Sequence, residues 1–370
     1  MNNLHCNHFS MHPELILHLL RNHRTLFRRH LQSQQLTYAD HGHPEQVLEL
    51  RKVKIPSALQ ADQVQYSMLA ASINPADINQ IQGVYPVKPT LPAVGGNEGV
   101  LRIEAVGNEV TNLRVGDWAI PAQAGFGTWR NVGVANAKDL LKINNQLSVA
   151  EAATLAVNPS TAYRMLQDFV HLQPGDVVLQ NGATSAVGQN VIQLCKHFGY
   201  TSVNIIRDKS NTVDSIDYLK ELGADHILTE NQLKSEDAEM LFSNIAAPKL
   251  GLNCISGRST VFMAAALCSN GKLVTYGGMS KQPLQVPTGT LIFKRIQLHG
   301  FWMSAWNAQQ KNQTERLHML NTLTDLLLQR KLRTPRLEMI PFKDYKLAIK
   351  QACDATTTTT ARKQLLVFES

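Results

Sequence analysis

The sequence predicts an α/β chain in two parts: a β-rich, barrel-like unit and a doubly wound parallel sheet covered by helices. Three observations carry that expectation. Residues 176–207, DVVLQNGATSAVGQNVIQLCKHFGYTSVNIIR, read as strand, small-residue loop, helix and strand, which is one βαβ unit. Strand and helix patterns keep alternating from residue 216 to residue 300, as a parallel sheet requires. Ahead of them, residues 38–121 carry several short β-patterned runs divided by Gly, Pro and Asn turns, the signature of an all-β unit.

Composition sets the outer bounds. The 370 residues are enough for two domains. At 44% hydrophobic and 18% charged, the chain can bury large cores and does not have a disordered composition. The cysteines, Cys6, Cys195, Cys254, Cys268 and Cys353, are scattered without a C-x-x-C pair. An odd, dispersed set argues against a disulfide framework and against a zinc-finger type of site, and so for a reducing compartment. No apolar run is long enough to span a bilayer. The formal charge is +7, and residues 1–36 contribute Arg21, Arg24, Arg28 and Arg29 to it against the single acid Glu14. The remainder lacks the clustered cations and interleaved aromatics of a nucleic-acid surface. Mild basicity suits an anionic substrate or an acidic carrier protein.

Taken in order, residues 1–36 read as a detachable extension. Leu15, Ile16, Leu19, Leu20 and Phe27 alternate with arginines at helix-compatible spacing, the composition of a mitochondrial transit peptide. An ordinary polar extension, or a start at Met11, is the alternative. Residues 47–50 and 64–70 read as strands, and 72–86 as a loop with a short helical turn. Residues 91–99, LPAVGGNEG, form a tight glycine-rich segment, and strands follow over 100–106 and 117–121. Residues 152–167 have helical spacing and should bridge into the second domain. Beyond the βαβ unit come a helix over 216–222, strands over 224–228 and 250–255, a helix over 262–268 and a strand over 272–276. Residues 296–300 should add the sheet's last strand. A long amphipathic helix is expected over 314–330, and residues 365–368 should return to the first domain as a strand. Thr356 to Thr360 form a small low-complexity run.

The βαβ loop opens a helix, so its backbone N–H groups and the helix dipole can face a phosphate. The full G-x-G-x-x-G pattern is absent: Ala183 and Ser185 stand at the first two glycine places and Gly188 at the third. On the loop alone an ordinary crossover fits equally well. The end of the second strand adds a preference. An acid there favours NAD, whereas a cation favours the 2′-phosphate of NADP. The chain offers Arg207, Asp208 and Lys209; two cations around one acid point to NADP(H).

Several stretches together resemble one family: NPADINQIQGVYP, LPAVGGNEG, GDWAIPAQAGFGTWR, AVNPSTAYRML, IIRDK, YGGMS and GFWMSAW. From residue 38 onward the chain is similar to the mitochondrial trans-2-enoyl-thioester reductases, a zinc-free branch of the medium-chain dehydrogenase/reductase superfamily. The resemblance implies a GroES-like catalytic domain over 37–160 and 316–370 and a Rossmann NADP-binding domain over 161–315. It implies NADPH-dependent reduction of an enoyl thioester, carried by acyl-carrier protein or coenzyme A, in the mitochondrial matrix. It also implies a homodimer whose Rossmann sheets meet edge to edge, through residues 284–286 and 296–300. Zinc-dependent relatives place Cys in the first loop and His in a G-H-E segment. Here those places hold residues 74–77 (NPAD) and Gly96-Asn97-Glu98, so no metal site is expected.

A side chain must then handle the charge on the substrate. Hydride addition at Cβ drives negative charge onto the thioester oxygen and Cα. A phenol can donate a hydrogen bond to that enolate and then a proton. The resemblance assigns this role to Tyr85, although a loop tyrosine alone would read as packing. It assigns cofactor contacts to Asn158, to Thr184, Ser185, Ala186 and Val187 in the pyrophosphate loop, and to Arg207, Asp208 and Lys209 at the 2′-phosphate. It adds Tyr276, Gly277, Gly278 and Met279 in the cleft, Phe301, Trp302 and Met303 near the nicotinamide and acyl pocket, and Lys363. Phe301, Trp302, Met303 and Trp306 could wall an apolar acyl slot, or simply fill a core. A zinc-free quinone or enone reductase, and an NADPH-binding protein without turnover, are the competing readings.

Overall fold

The computed structural model describes residues 32–56, 58–208, 212–354 and 362–369. Lys209, the run Thr356 to Thr360 and residues 1–31 of the expected extension lie outside the described residues.

The extension ends earlier than the composition suggests. Residues 32–36 belong to β1 (Gln32–Tyr38), where Ser33, Leu36 and Tyr38 are buried. A cut after residue 36 would remove most of a strand whose backbone pairs with β2 (Glu49–Lys54) and β4 (Ala93–Val94). Between β1 and β2, residues 44–47 form one helical turn rather than the start of a strand, because Pro44 sits at a first-turn position where no N–H is needed. The long strand β3 (Gln63–Ser72) alternates half-buried and buried residues, as a sheet with one core face should.

β3 is the hub of the first domain. It pairs antiparallel with β5 (Gly99–Val106), with β7 (Val132–Asn136) and with the C-terminal strand β16 (Lys363–Val367). β6 (Trp118–Pro121) and β8 (Leu140–Ile143) extend the sheet on the β5 side; β15 (Leu337–Pro341) extends it beside β16. The tail thus returns to the first domain as expected. β7 and β8 have no counterpart in the sequence reading. Their runs are short and partly exposed, so alternation is weak and pairing decides them.

The expected helix over 152–167 is two helices, Val149–Ala153 and Asn158–Asp168. Ser148 and Glu151 close a capping box on the first. Pro159 forces the second to begin anew, since proline fits only a first turn. The second domain is a six-stranded, all-parallel sheet. In spatial order it runs β11 (His226–Thr229), β10 (Thr201–Ile206), β9 (Val177–Asn181), β12 (Leu250–Asn253), β13 (Lys272–Thr275), β14 (Gln297–Gly300). β9 and β12 at its centre are buried throughout, as strands covered on both faces must be. Helix Glu236–Asn244, not foreseen, adds a crossover whose buried face holds only Ala238. Residues 284–286 form no strand: Leu284 makes one isolated bridge to Gly257. The long helix Gln313–Leu328 joins the largest core with Met319, Leu320, Leu323, Leu326 and Leu327.

Candidate active site

All strands of the second sheet run parallel, so the loops leaving β9, β10, β13 and β14 emerge at one edge. That edge is where an open α/β sheet binds its ligand, and it holds most of the candidate cofactor residues. After β9, Gly182 turns the chain at φ +63°. Ser185 caps helix Ala186–Phe198, its Oγ accepting from the Gly188 N–H at 3.1 Å. A Cβ on Gly188 would lie 2.6 Å from the Ala183 carbonyl, so only glycine lets the helix pack onto its own loop. Thr184, Ala186 and Val187 surround that helix mouth, whose first-turn N–H groups have no intrahelical acceptors. Tyr276, after β13, turns a buried hydroxyl toward Ser185 and Cys254. It makes no hydrogen bond among the described residues, and burial drives its pKa well above that of an ordinary phenol. A buried neutral donor beside a helix N-terminus suits a phosphate oxygen. Gly277, Gly278 and Met279 continue the same loop, tied back through Met279 N–H to the Cys254 carbonyl.

After β10 the acid and the cation part ways. Asp208 accepts the Asn231 backbone N–H at 3.1 Å, so its carboxylate is engaged by the neighbouring loop. The Arg207 charge is felt by Glu230 and Cys254, where it opposes the upward push of burial on both. These groups fit a phosphorylated nicotinamide nucleotide: a helix N-terminus for the pyrophosphate, and a guanidinium at the end of the second strand.

Tyr85 comes from the first domain. Helix Pro75–Ile81 ends against Gly83 at φ +77°, and the Tyr85 N–H returns to the Asn79 carbonyl. The side chain then crosses to the second domain. Trp302 Nε1 donates to Tyr85 Oη at 2.6 Å, and Ser304 Oγ stands 3.3 Å away. The Tyr85 and Trp302 rings meet edge to face at 5.6 Å. Trp302 precedes helix Met303–Ala308 just beyond β14, so the phenol is brought to the same sheet edge as the phosphate loop. The neighbours of Trp302 do different work. Phe301 packs edge-on against Phe169, Met303 is buried in the main core, and the Trp306 ring lies under the Arg164 guanidinium. Of the expected acyl-slot aromatics, Trp302 alone touches Tyr85 in the described hydrogen bonds and ring contacts.

The start of helix Pro75–Ile81, which precedes Tyr85 in the chain, belongs to a buried polar cluster. Glu98 is 1% exposed and Asp77 is fully buried. Lys363 Nζ donates to Asn74 Oδ1 and to the Ile73 carbonyl, and stands 3.9 Å from Glu98. Glu98 accepts from Ser72, from Asn74 Nδ2 and, through its other oxygen, from the Val157 N–H at 2.8 Å. Asn158 Nδ2 reaches Asn74 Oδ1 at 3.3 Å. The expected cofactor residues Asn158 and Lys363 are thus joined through Asn74 and Glu98, across the linker into the second domain. Asp77 accepts from the Asn74 N–H and from Asn97 Nδ2. Burial nonetheless raises its pKa to about 6, against the pull of these hydrogen bonds and of Lys363. Burial lowers the Lys363 pKa, and Glu98 and Asp77 oppose that.

The chemistry of this cluster also bears on zinc. At the places where zinc-dependent relatives carry Cys and His, Asn74 and Asn97 turn amide groups to carboxylates, and Lys363 brings an ammonium among them. Amide donors and a buried cation do not fit a Zn²⁺ ligand set. The sequence reading passed over Ser304, and named Asp77 and Glu98 only as members of the two segments that lack the zinc-binding Cys and His. The available signal was two acids in glycine- and proline-punctuated segments, NPAD and GNE.

Comparisons with known proteins bear on the family and the fold. A family model described as the alcohol dehydrogenase GroES-like domain matches residues 60–145, and one described as zinc-binding dehydrogenase matches residues 186–319. A mitochondrial enoyl-acyl-carrier-protein reductase of Caenorhabditis elegans is 44% identical over 94% of this chain and 98% of its own. The Homo sapiens enzyme of the same name is 44% identical over 85% of this chain and 84% of its own. Among solved structures, the Etr1p/NADP/crotonyl-CoA complex superposes with a TM-score of 0.85 at 35% identity, covering 91% of this chain and all of that one. An Escherichia coli quinone oxidoreductase bound to NADPH shares the fold, with a TM-score of 0.76 at 19% identity.

Proposed function

The chain belongs to the family of mitochondrial enoyl-acyl-carrier-protein reductases, and from that premise we propose that it reduces trans-2-enoyl thioesters with NADPH in the mitochondrion. The observation that carries the reading is the Tyr85 hydroxyl held over the carboxyl edge of the nucleotide-binding sheet by Trp302. Bound NADPH supplies a hydride to Cβ of the substrate. The rest falls to the chain's own residues. The helix mouth at 184–187 fixes the pyrophosphate. Asn158 and Lys363, held by Glu98 and Asn74, set the nicotinamide end. Tyr85 donates to the thioester oxygen as charge develops there and supplies the proton that Cα requires. The substrate rides on acyl-carrier protein or coenzyme A; both present the same thioester.

The test is NADPH oxidation with trans-2-hexenoyl-CoA, with 1,2-naphthoquinone run beside it. The reading expects stoichiometric saturated acyl-CoA and preference for the thioester. Faster turnover of the quinone would favour the zinc-free quinone reductase instead.

Cofactor choice is a separate expectation. Arg207→Ala should weaken NADPH binding about 10–100-fold, the worth of a charge-assisted contact of roughly 1.5–3 kcal/mol. NADH binding should hardly move. Equal losses for both nucleotides, read by fluorescence titration, would remove Arg207 from the 2′-phosphate site.

For the assembly, the exposed edge of the second sheet is the supporting feature. β14 is the terminal strand, with Leu298 41% exposed, and Ile292 and Phe293 just before it are 60% and 83% exposed. Natural sheets seldom leave such an apolar edge bare, which supports a homodimer joined there. Light scattering should give twice the chain mass, and Leu298→Lys should lower it toward one. A monomeric wild-type chain would reject the dimer.

A further inference from the structure

Away from the cofactor cleft, three metal-binding side chains converge from opposite ends of the chain. His43 precedes the one-turn helix Pro44–Val47, Glu45 lies in it, and Cys353 is near the end of helix Tyr345–Asp354. The two helices pack on one another. One donor atom from each of the three residues lies within 4.8 Å of the other two. We propose that His43, Glu45 and Cys353 bind a divalent cation of borderline softness, with Zn²⁺ the natural occupant.

The donor chemistry selects that class. Imidazole, carboxylate and thiolate are the ligand types Zn²⁺ takes, at about 2.0–2.3 Å each, in a tetrahedron. Ca²⁺ and Mg²⁺ want oxygen ligands only. Cys353 is half-buried near the end of its helix. When a cation binds, the thiol proton leaves to water, the sulfur becomes a ligand, and two positive charges offset the thiolate and Glu45. His43 and Glu45 are exposed, so ions reach the site directly. Three protein ligands leave the fourth place to water, which makes an exchangeable site rather than a closed structural one. Occupied, it would tie the last helix to the turn between β1 and β2. No local motif announces it, because residue 353 is some three hundred positions from its partners and only the fold unites them.

Cobalt(II), which reports thiolate ligation by a near-ultraviolet charge-transfer band, is the probe. The full chain is titrated in a Cys6→Ser background, since Cys6 sits in a histidine-rich segment able to give its own signal. The expected result is a band that saturates at one equivalent, is abolished by Zn²⁺ and is absent after Cys353→Ser. His43→Ala and Glu45→Gln change exposed residues and carry the test even if Cys353→Ser folds poorly. Each should weaken cobalt binding by no less than the ~10–100-fold typical of losing an outer-shell partner. No band in the parent chain, a band that survives Cys353→Ser, or affinity unmoved by both surface changes would overturn the proposal.

Discussion

Tyr85→Phe is expected to lower kcat with an enoyl thioester about 10²–10³-fold, the usual cost of one lost donor to a developing oxyanion, while NADPH binds as before. The substitution removes one oxygen and keeps the ring, so the edge-to-face contact with Trp302 survives. Tyr85 and Trp302 are both partly open to solvent, so water can satisfy the Trp302 N–H and no buried group is orphaned. The loss should fall equally on kcat and on kcat/KM, as it does for an interaction made only in the transition state. Residual turnover would reflect protonation of Cα by water. An unchanged kcat would mean that the hydroxyl only anchors Trp302.

The second large effect concerns stability. Lys363→Met should cost about 3–5 kcal/mol, because it strands buried carboxylates without their cation. Glu98 is 1% exposed and Asp77 is fully buried, and Lys363 is the cation that acts on Asp77 and stands beside Glu98. The cost should depend on pH in a direction set by Asp77. Its folded pKa, about 6, lies above the ordinary 3.8. Its contribution is therefore fully present below pH 3.8 and is lost as pH rises through 6, on the order of 3 kcal/mol for that single group. Without Lys363 the pKa should climb further, so Asp77 takes up its proton more readily on acidification. The penalty measured by urea unfolding should then be larger at pH 7 than at pH 5, and Asp77→Asn should flatten the difference. A cost below about 1 kcal/mol, the worth of an exposed pair, would show that the ammonium is not the counter-ion the cluster depends on.

How much of this was legible beforehand follows physical lines. The parallel sheet was, because β9, β10 and β12 are apolar runs bounded by turns, and burial on both faces writes itself into composition. The return of the chain to the first domain was legible in the apolar run over 365–368, and the strand itself covers Lys363–Val367. The break between residues 153 and 158 was missed because apolar spacing runs across it, whereas Pro159 and the Ser148–Glu151 box decide where helix can form. Residues 32–36 were missed because they are polar apart from Leu36; their burial comes from pairing across β1, not from local pattern. In the site, Tyr85 and the loop at 184–187 stood out through motifs. The Asn74–Glu98–Lys363 cluster could not, because it joins residues nearly three hundred positions apart. Asp208, which dissented from the NADP reading, is explained only by the Asn231 N–H that it accepts.

The claim beneath the rest is that a phenol does here what a metal ion does in zinc-dependent relatives. Its most direct test is a crystal structure of the chain with NADP⁺ and a trans-2-enoyl-CoA bound together. The account predicts Tyr85 Oη within about 2.6–3.2 Å of the thioester oxygen or Cα, or one water away, with C4 of the nicotinamide against Cβ. A hydroxyl that remains on Trp302 Nε1, with the thioester beyond the reach of one bridging water, would contradict it.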